Sequence, residues 1–270
     1  MIATTSPKLE AKPKVTWQKL PEDFVLPDDP VDNNLQPLLA AALRESLELA
    51  NLILESMLIA TNFGICANVG DKTVVKAPDW VYVRSVKSTS ARSEIRRSYT
   101  PHLEGDLPAI VLEFISETEG GEYSINPHYP YGKWHFYEQI LSIPIYGIFH
   151  PKTGTLDLYR LVNGKYEQQL PDTQKRFWID EMNMFIGVWE GKKSGFTTNW
   201  LRWWDQSGNL LLWGSEIIEQ VRQRAEQDHQ RAEQERQRAE QAELQLQQEQ
   251  AIRQRMADKL KALGIDQELI

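Results

Sequence analysis

Residues 109–115 read Ala-Ile-Val-Leu-Glu-Phe-Ile, an apolar run interrupted only by Glu113. A strand with one wet face alternates apolar and polar side chains, whereas a strand covered on both faces is apolar almost throughout. The run therefore predicts an interior strand of a sheet flanked by other layers. A carboxylate in such a strand is costly unless a partner compensates it, so Glu113 is the first residue to suspect of chemistry.

Working outward, Asp79-Trp-Val-Tyr-Val83 follows Pro78 and is aromatic and β-branched, as a strand would be. Phe63 to Asn68 is a shorter strand candidate. Lys133 to Leu141 (KWHFYEQIL) reads as a helix with Trp134, Tyr137 and Leu141 on one side. Ile143 to Phe149 is a further strand. Leu156–Leu161 and Tyr166–Leu170 flank Asn163-Gly164, a strong hairpin signal. Upstream, Gln36 to about Ser56 places Leu39, Leu43, Leu47, Ala50 and Leu54 at helical spacing, with Asp32, Asn33 and Asn34 as capping candidates and Pro37 in the first turn. These elements predict an α/β (α+β) class: a mixed β-sheet core flanked by helices.

The expected organisation has four parts: an extended, proline-containing arm over 1–30, the core over 31–175, a tryptophan-rich β extension over 176–214, and a long heptad-repeat helix over 215–264. In the extension, NWLRWWDQSGNLLLW reads as a hairpin turning at 206–209. Its rings either pack a subdomain or form a platform on which bases stack. The tail repeats RAEQDHQ, RAEQERQ, RAEQAEL. With Ile218 at heptad position a, its ends are apolar but its middle seam carries alanine at a and acids at d. That favours an exposed helix with weak self-association, a homodimer through residues 216–263. Gly264 is expected to end it.

The chain has 270 residues and a net charge of −8, of which the tail from Ser215 contributes −3. Both parts are acidic, so any nucleic-acid contact must come from local patches. Lys87, Arg92, Arg96 and Arg97 form the best basic cluster, suited either to a DNA backbone or to pairing with nearby acids. The single cysteine, Cys66, excludes an intrachain disulfide and a cysteine metal cluster, and reads as a buried apolar residue. No apolar stretch is long enough to span a membrane and no signal core opens the chain, so a cytoplasmic location is expected.

Asp79 and Glu113 form the strongest chemical signal. Two carboxylates on neighbouring strands suit a hard divalent cation such as Mg²⁺. Equally, Glu113 suits a buried ion pair with a lysine or arginine, including Lys133.

The stretches APDWVYV, IVLEFISETE and KWHFY together resemble the Uma-type restriction endonuclease family of the PD-(D/E)XK nuclease superfamily. KAPDWVYV, KWHFYEQILSIPIYGIF, TNWLRWWDQSGN and the RAEQ-rich tail extend the likeness from about Leu26 to the C-terminus. The superfamily pattern places an Asp after Pro on one strand and Glu-x-Lys on the next. Here Ile115 stands where that lysine would be. The resemblance implies instead that Lys133, from the helix motif Lys-x-x-x-Tyr, reaches into the vacated place, with Tyr137 beside it. It implies a restriction endonuclease-like fold, catalytic residues Asp79, Glu113 and Lys133, Mg²⁺ (or Mn²⁺) on Asp79 and Glu113, and DNA as substrate. It also implies an acid near the first helix that completes the metal shell, with Asp32 the nearest candidate, and an acid in the loop before the lysine helix, Glu119 or Glu122. A second reading stays open: a catalytically weak or inactive nuclease fold that binds or scaffolds and self-associates through its tail.

Overall fold

The computed structural model describes residues 14–18, 33–87, 95–115 and 121–262. The chain divides into two compact units, residues 1–213 and a tail from 214. In chain order the first unit contains β1 (Val15–Thr16), α1 (Gln36–Leu49), β2 (Leu58–Ala60), β3 (Gly64–Val69), β4 (Lys72–Lys76), β5 (Trp80–Val83), β6 (Ser98–Tyr99) and β7 (Ile110–Phe114). A short helix α2 (Lys133–His135) then runs directly into a π-helical segment (Phe136–Leu141). After it come β8 (Ile145–His150), β9 (Thr155–Val162), β10 (Lys165–Gln168), β11 (Arg176–Ile179), β12 (Met184–Lys193) and β13 (Phe196–Trp204). The tail is α3 (Gly214–Ala262).

The central sheet has the order β10-β9-β8-β7-β5-β2. Among the described residues its only parallel pair is β7–β8. Parallel neighbours need a crossover, and α2 with its π-helical extension lies in that connection. β7 is buried along its whole length, as its apolar sequence requires. Successive residues of β5 and β7 alternate between two apolar layers. Trp80, Tyr82, Ile110, Leu112 and Phe114 share one layer with Leu39, Leu43 and Leu47 of α1. Val81, Val83, Val111 and Ile115 share the other with Phe136, Tyr137 and Leu141. A smaller mixed sheet of β1, β3 and β4, with β6 beside β3, contributes Ile65, Val69 and Val74 to the second layer. Asn163 and Gly164 both have positive φ, 50° and 79°, and join β9 to β10 in the tight turn their sequence announces.

Two expected boundaries move for local reasons. Helix α1 ends at Leu49 and does not reach Ser56, so Leu54 is exposed and not on the buried face. Asn51 adopts φ 56°, and the Leu52 and Asn51 amides donate back to the Leu47 and Glu48 carbonyls, a left-handed helix stop. At the other end Asn33 Oδ1 accepts from the amides of Leu35 and Gln36, while Gln36 Oε1 accepts from Asn33 N. The expected hairpin over 199–213 is instead a strand followed by a tight turn. Asp205 Oδ1 accepts the amides of Ser207 and Asn209, and only an isolated bridge, Trp204 to Leu210, continues the pairing. The real ladder is β12 with β13.

The tryptophan question resolves toward packing. Trp200, Trp203 and Trp213 are fully buried with α1 and the even-numbered face of β7. Trp213 Nε1 donates to Ala42 O, and the buried Arg202 guanidinium lies 3.4 Å from the Trp213 ring centroid. Among the described residues no helix is long and apolar enough to cross a membrane. Truncating Trp203 to alanine should lower stability by about 3–5 kcal/mol, as for other buried aromatics. The same change at half-buried Trp178 should have a much smaller effect. Urea unfolding midpoints check this, and equal small effects would mean the rings are not core.

Candidate active site

The β5–β7 register pairs Trp80 with Leu112. Continuing that register by one residue sets Asp79, just before β5, across from Glu113, and Asp79 acts electrostatically on both Glu113 and Lys133. Asp79 Oδ2 accepts the Phe114 amide at 2.5 Å. The carbonyl of Phe114 accepts Gln36 Nε2 at 2.6 Å. The two peptide units that flank Phe114, the residue after Glu113, are thus held one by Asp79 and the other by Gln36 at the start of α1.

Glu113 itself has no exposed surface. Its Oε2 lies 3.1 Å from Lys133 Nζ, and its Oε1 accepts the Tyr137 hydroxyl at 3.1 Å. Lys133 and Tyr137 are four residues apart, close to one helical turn, so both reach the same carboxylate. The helix can start there because Gly132 precedes it. A Cβ at that position would stand 2.0 Å from the Ser124 carbonyl oxygen. Glu122 Oε1 lies 3.8 Å from Lys133 Nζ. The segment that carries it is pinned: the Glu122 carbonyl accepts the Tyr146 hydroxyl at 2.8 Å, and the hydroxyl of the next residue, Tyr123, donates to Asp157 Oδ2 at 2.8 Å.

Three acids therefore surround one base. Burial pushes the Glu113 carboxyl up to about 8, Asp79 and Glu122 push the same way, and Lys133 opposes them without cancelling the effect. Burial works against the Lys133 ammonium, yet Glu113, Asp79 and Glu122 together hold its proton more firmly than usual. Burial dominates the Glu113 shift, whereas the surrounding acids dominate the Lys133 shift. Tyr137, fully buried and next to Glu113, stays a neutral hydrogen-bond donor. Among the described residues no group of three or more His, Cys, Asp or Glu is arranged to hold a metal ion. The facing pair Asp79 and Glu113 supplies hard carboxylate oxygens and surplus charge, which fits a divalent cation that keeps waters in the rest of its shell.

Of the residues singled out in the sequence, the fold brings together Asp79, Glu113, Lys133 and Tyr137. Asp32, Arg92 and Glu119 lie outside the described residues, and Glu122 is the loop acid found at the lysine. Lys87 and Arg96 are engaged locally. Lys87 Nζ donates to the Leu103 and His102 carbonyls, and Arg96 pairs with Glu104 at 3.4 Å. Arg97 is exposed. Gln36 was not anticipated, since a glutamine before a helix proline carries no signal of the strand it meets. Cys66 is buried, and burial pushes its thiol up to about 11.

A family model described as Uma2, putative restriction endonuclease, matches residues 20–189. No curated protein matches the chain.

The Glu113 environment sets the sign of a pH effect. A carboxyl whose pKa is raised on folding binds its proton more tightly in the native state. Stability therefore falls as pH rises from near 4.5 toward about 8. Glu113→Gln should flatten that slope and leave the metal-free protein at least as stable at neutral pH. Denaturant titrations at several pH values check it, and an unchanged slope in the variant would show that Glu113 is not its source.

Proposed function

Because the chain belongs to the Uma2 restriction endonuclease family, we propose that it is a divalent-metal-dependent DNA endonuclease that hydrolyses phosphodiester bonds. The observation that carries this reading is a buried strand carboxylate, Glu113, facing Asp79 and bonded by both Lys133 and Tyr137. A carboxyl with no exposed surface in the middle of a sheet is a poor choice for stability alone.

Asp79 and Glu113 would hold Mg²⁺ or Mn²⁺. Such an ion, when bound, supplies Lewis-acid polarisation of a phosphate oxygen and a lower pKa for water. Tyr137 fixes the Glu113 carboxylate by donating to Oε1, and Asp79 and Gln36 fix the backbone amide and carbonyl of the next residue, Phe114. Lys133 keeps its proton because three acids surround it. Its work is therefore that of a cation: orienting the attacking water and offsetting charge that builds on the phosphate. Glu122 keeps that ammonium in place from the far side. In the alternative reading, a binding or scaffold protein that keeps the nuclease fold, the Lys133–Glu113 pair is a permanent internal ion pair.

Cleavage of supercoiled and linear DNA with Mg²⁺ or Mn²⁺ separates the two. The native protein should cut, and Asp79→Ala and Lys133→Ala should each lose roughly a hundredfold or more of the rate, the scale of removing one charge-stabilising group. Mg²⁺ should also lower the pH at which the Glu113 carboxyl titrates, followed by carbon NMR, and this shift should vanish in Asp79→Ala. A native protein that neither cuts any DNA substrate nor shows the shift supports the scaffold reading.

A further inference from the structure

Helix α3 runs for 49 residues with no buried residue, yet it carries exposed Ile218, Val221, Leu246 and Met256. Its apolar residues cluster toward the two ends, and the charges between them are not evenly distributed around the helix. With Ile218 at a, the Arg224, Arg231 and Arg238 side chains follow g, while Asp228, Glu235 and Glu249 fall on the d seam and Arg253 on the a seam. Glu219–Arg222 and Glu233–Arg236 pairs, each from b to e, support the helix itself.

The seam discriminates between the two ways a second copy could lie against it. In a parallel pair each seam residue meets its own counterpart. Asp228, Glu235, Glu249 and Arg253 would then each face a like charge, and Arg231 at g would flank Arg236 at e. In an antiparallel pair an a residue meets a d residue. Setting Val221 opposite Leu260 places Ala225 against Met256, Asp228 against Arg253, and Ala239 against Ala242, each twice by symmetry. At the flanks Arg236 meets Glu243. This register leaves Arg224 against Lys259 as a like-charge flank, and it sets Glu235 against Leu246 and Glu249 against Ala232. It removes every like-charge seam contact of the parallel arrangement and covers the apolar ends with one another.

We propose that α3 is the pairing surface for α3 of a second copy of this chain, in antiparallel orientation, with Asp228 of each copy opposite Arg253 of the other. At about 1.5 Å per residue the helix is roughly 70 Å long. The first residues of the two paired helices therefore lie at opposite ends of the rod. This pairing is independent of whether the protein cuts DNA.

The test uses the full chain. Sedimentation velocity should find a dimer for the native protein. Arg253→Asp should weaken it by roughly tenfold or more, because two new like-charge contacts form. Adding Asp228→Arg to that variant should restore it. In a parallel pair Arg253→Asp merely exchanges one like-charge contact for another, so the swap has no such signature. Disulfide trapping gives a second measurement against a clean background, since the only native cysteine, Cys66, is buried. A mixture of Val221→Cys and Leu260→Cys chains should form a covalent dimer, and neither should do so alone. A native protein that stays monomeric, a Val221→Cys chain that links to itself, or a charge swap that fails to restore pairing each overturns the proposal.

Discussion

A carboxylate fixed in the middle of a fully buried strand is the constraint around which this protein is arranged. Glu113 has no exposed surface. Left alone it would hold its proton still more firmly or would disrupt the sheet. The compensation comes from outside the strand: Lys133 and Tyr137 descend from the helical crossover onto its two oxygens. That arrangement is possible because β7 and β8 are parallel, which requires a crossover, and this crossover packs on the sheet face of Val111 and Ile115, where Lys133 and Tyr137 reach Glu113. Topology and electrostatics thus require one another. A hairpin between these strands would leave the acid without a base above it.

The opposite face has a different task. Trp200, Trp203 and Trp213 seal the even-numbered side of β5 and β7 together with α1. This layer also holds the site indirectly. Asn33 and Gln36 bond to one another at the start of α1, and Gln36 reaches the Phe114 carbonyl. Packing of α1 against the tryptophan-rich sheet therefore fixes the backbone next to Glu113. A residue with no part in any chemistry can still set where the carboxylate points.

What could be read from the sequence followed periodicity and local turn chemistry. The interior strand at 109–115, the Asn163-Gly164 turn and the leucine face of α1 are each written in a few adjacent residues, and each appears in the structure. So does the convergence of Asp79, Glu113, Lys133 and Tyr137, though it came from resemblance rather than from spacing. Other features depend on contacts between distant segments. The stop at Asn51 rests on a backbone conformation that asparagine permits but does not announce. β4 lacks a clear alternation, and its pairing with β3 supplies what its sequence does not. Gln36 meets a carbonyl 78 residues away. Lys87 and Arg96 read as a basic patch only while Glu104 and the Leu103 carbonyl are out of view.

Lys133 reaches Glu113 from a helix and not from the strand, which is why this corner needs so much support. Ile115 occupies the strand position two residues after Glu113, is buried, and joins the apolar layer beneath the crossover helix. A lysine there would be positioned by the sheet itself, by the same ladder that positions Glu113. A lysine on the helix is positioned only as well as the helix is docked. The contacts that dock it are specific: Gly132 against Ser124, the Glu122 carbonyl on Tyr146, and Tyr123 on Asp157 of β9. The π-helical segment continues the same docking, burying Phe136, Tyr137, Ile140 and Leu141 against the sheet. Because Lys133 comes from the helix, its fit to Glu113 rests on a set of tertiary contacts spanning β7, β8 and β9 and not on one local ladder. Stability of that corner and geometry of the acid–base pair become a single property.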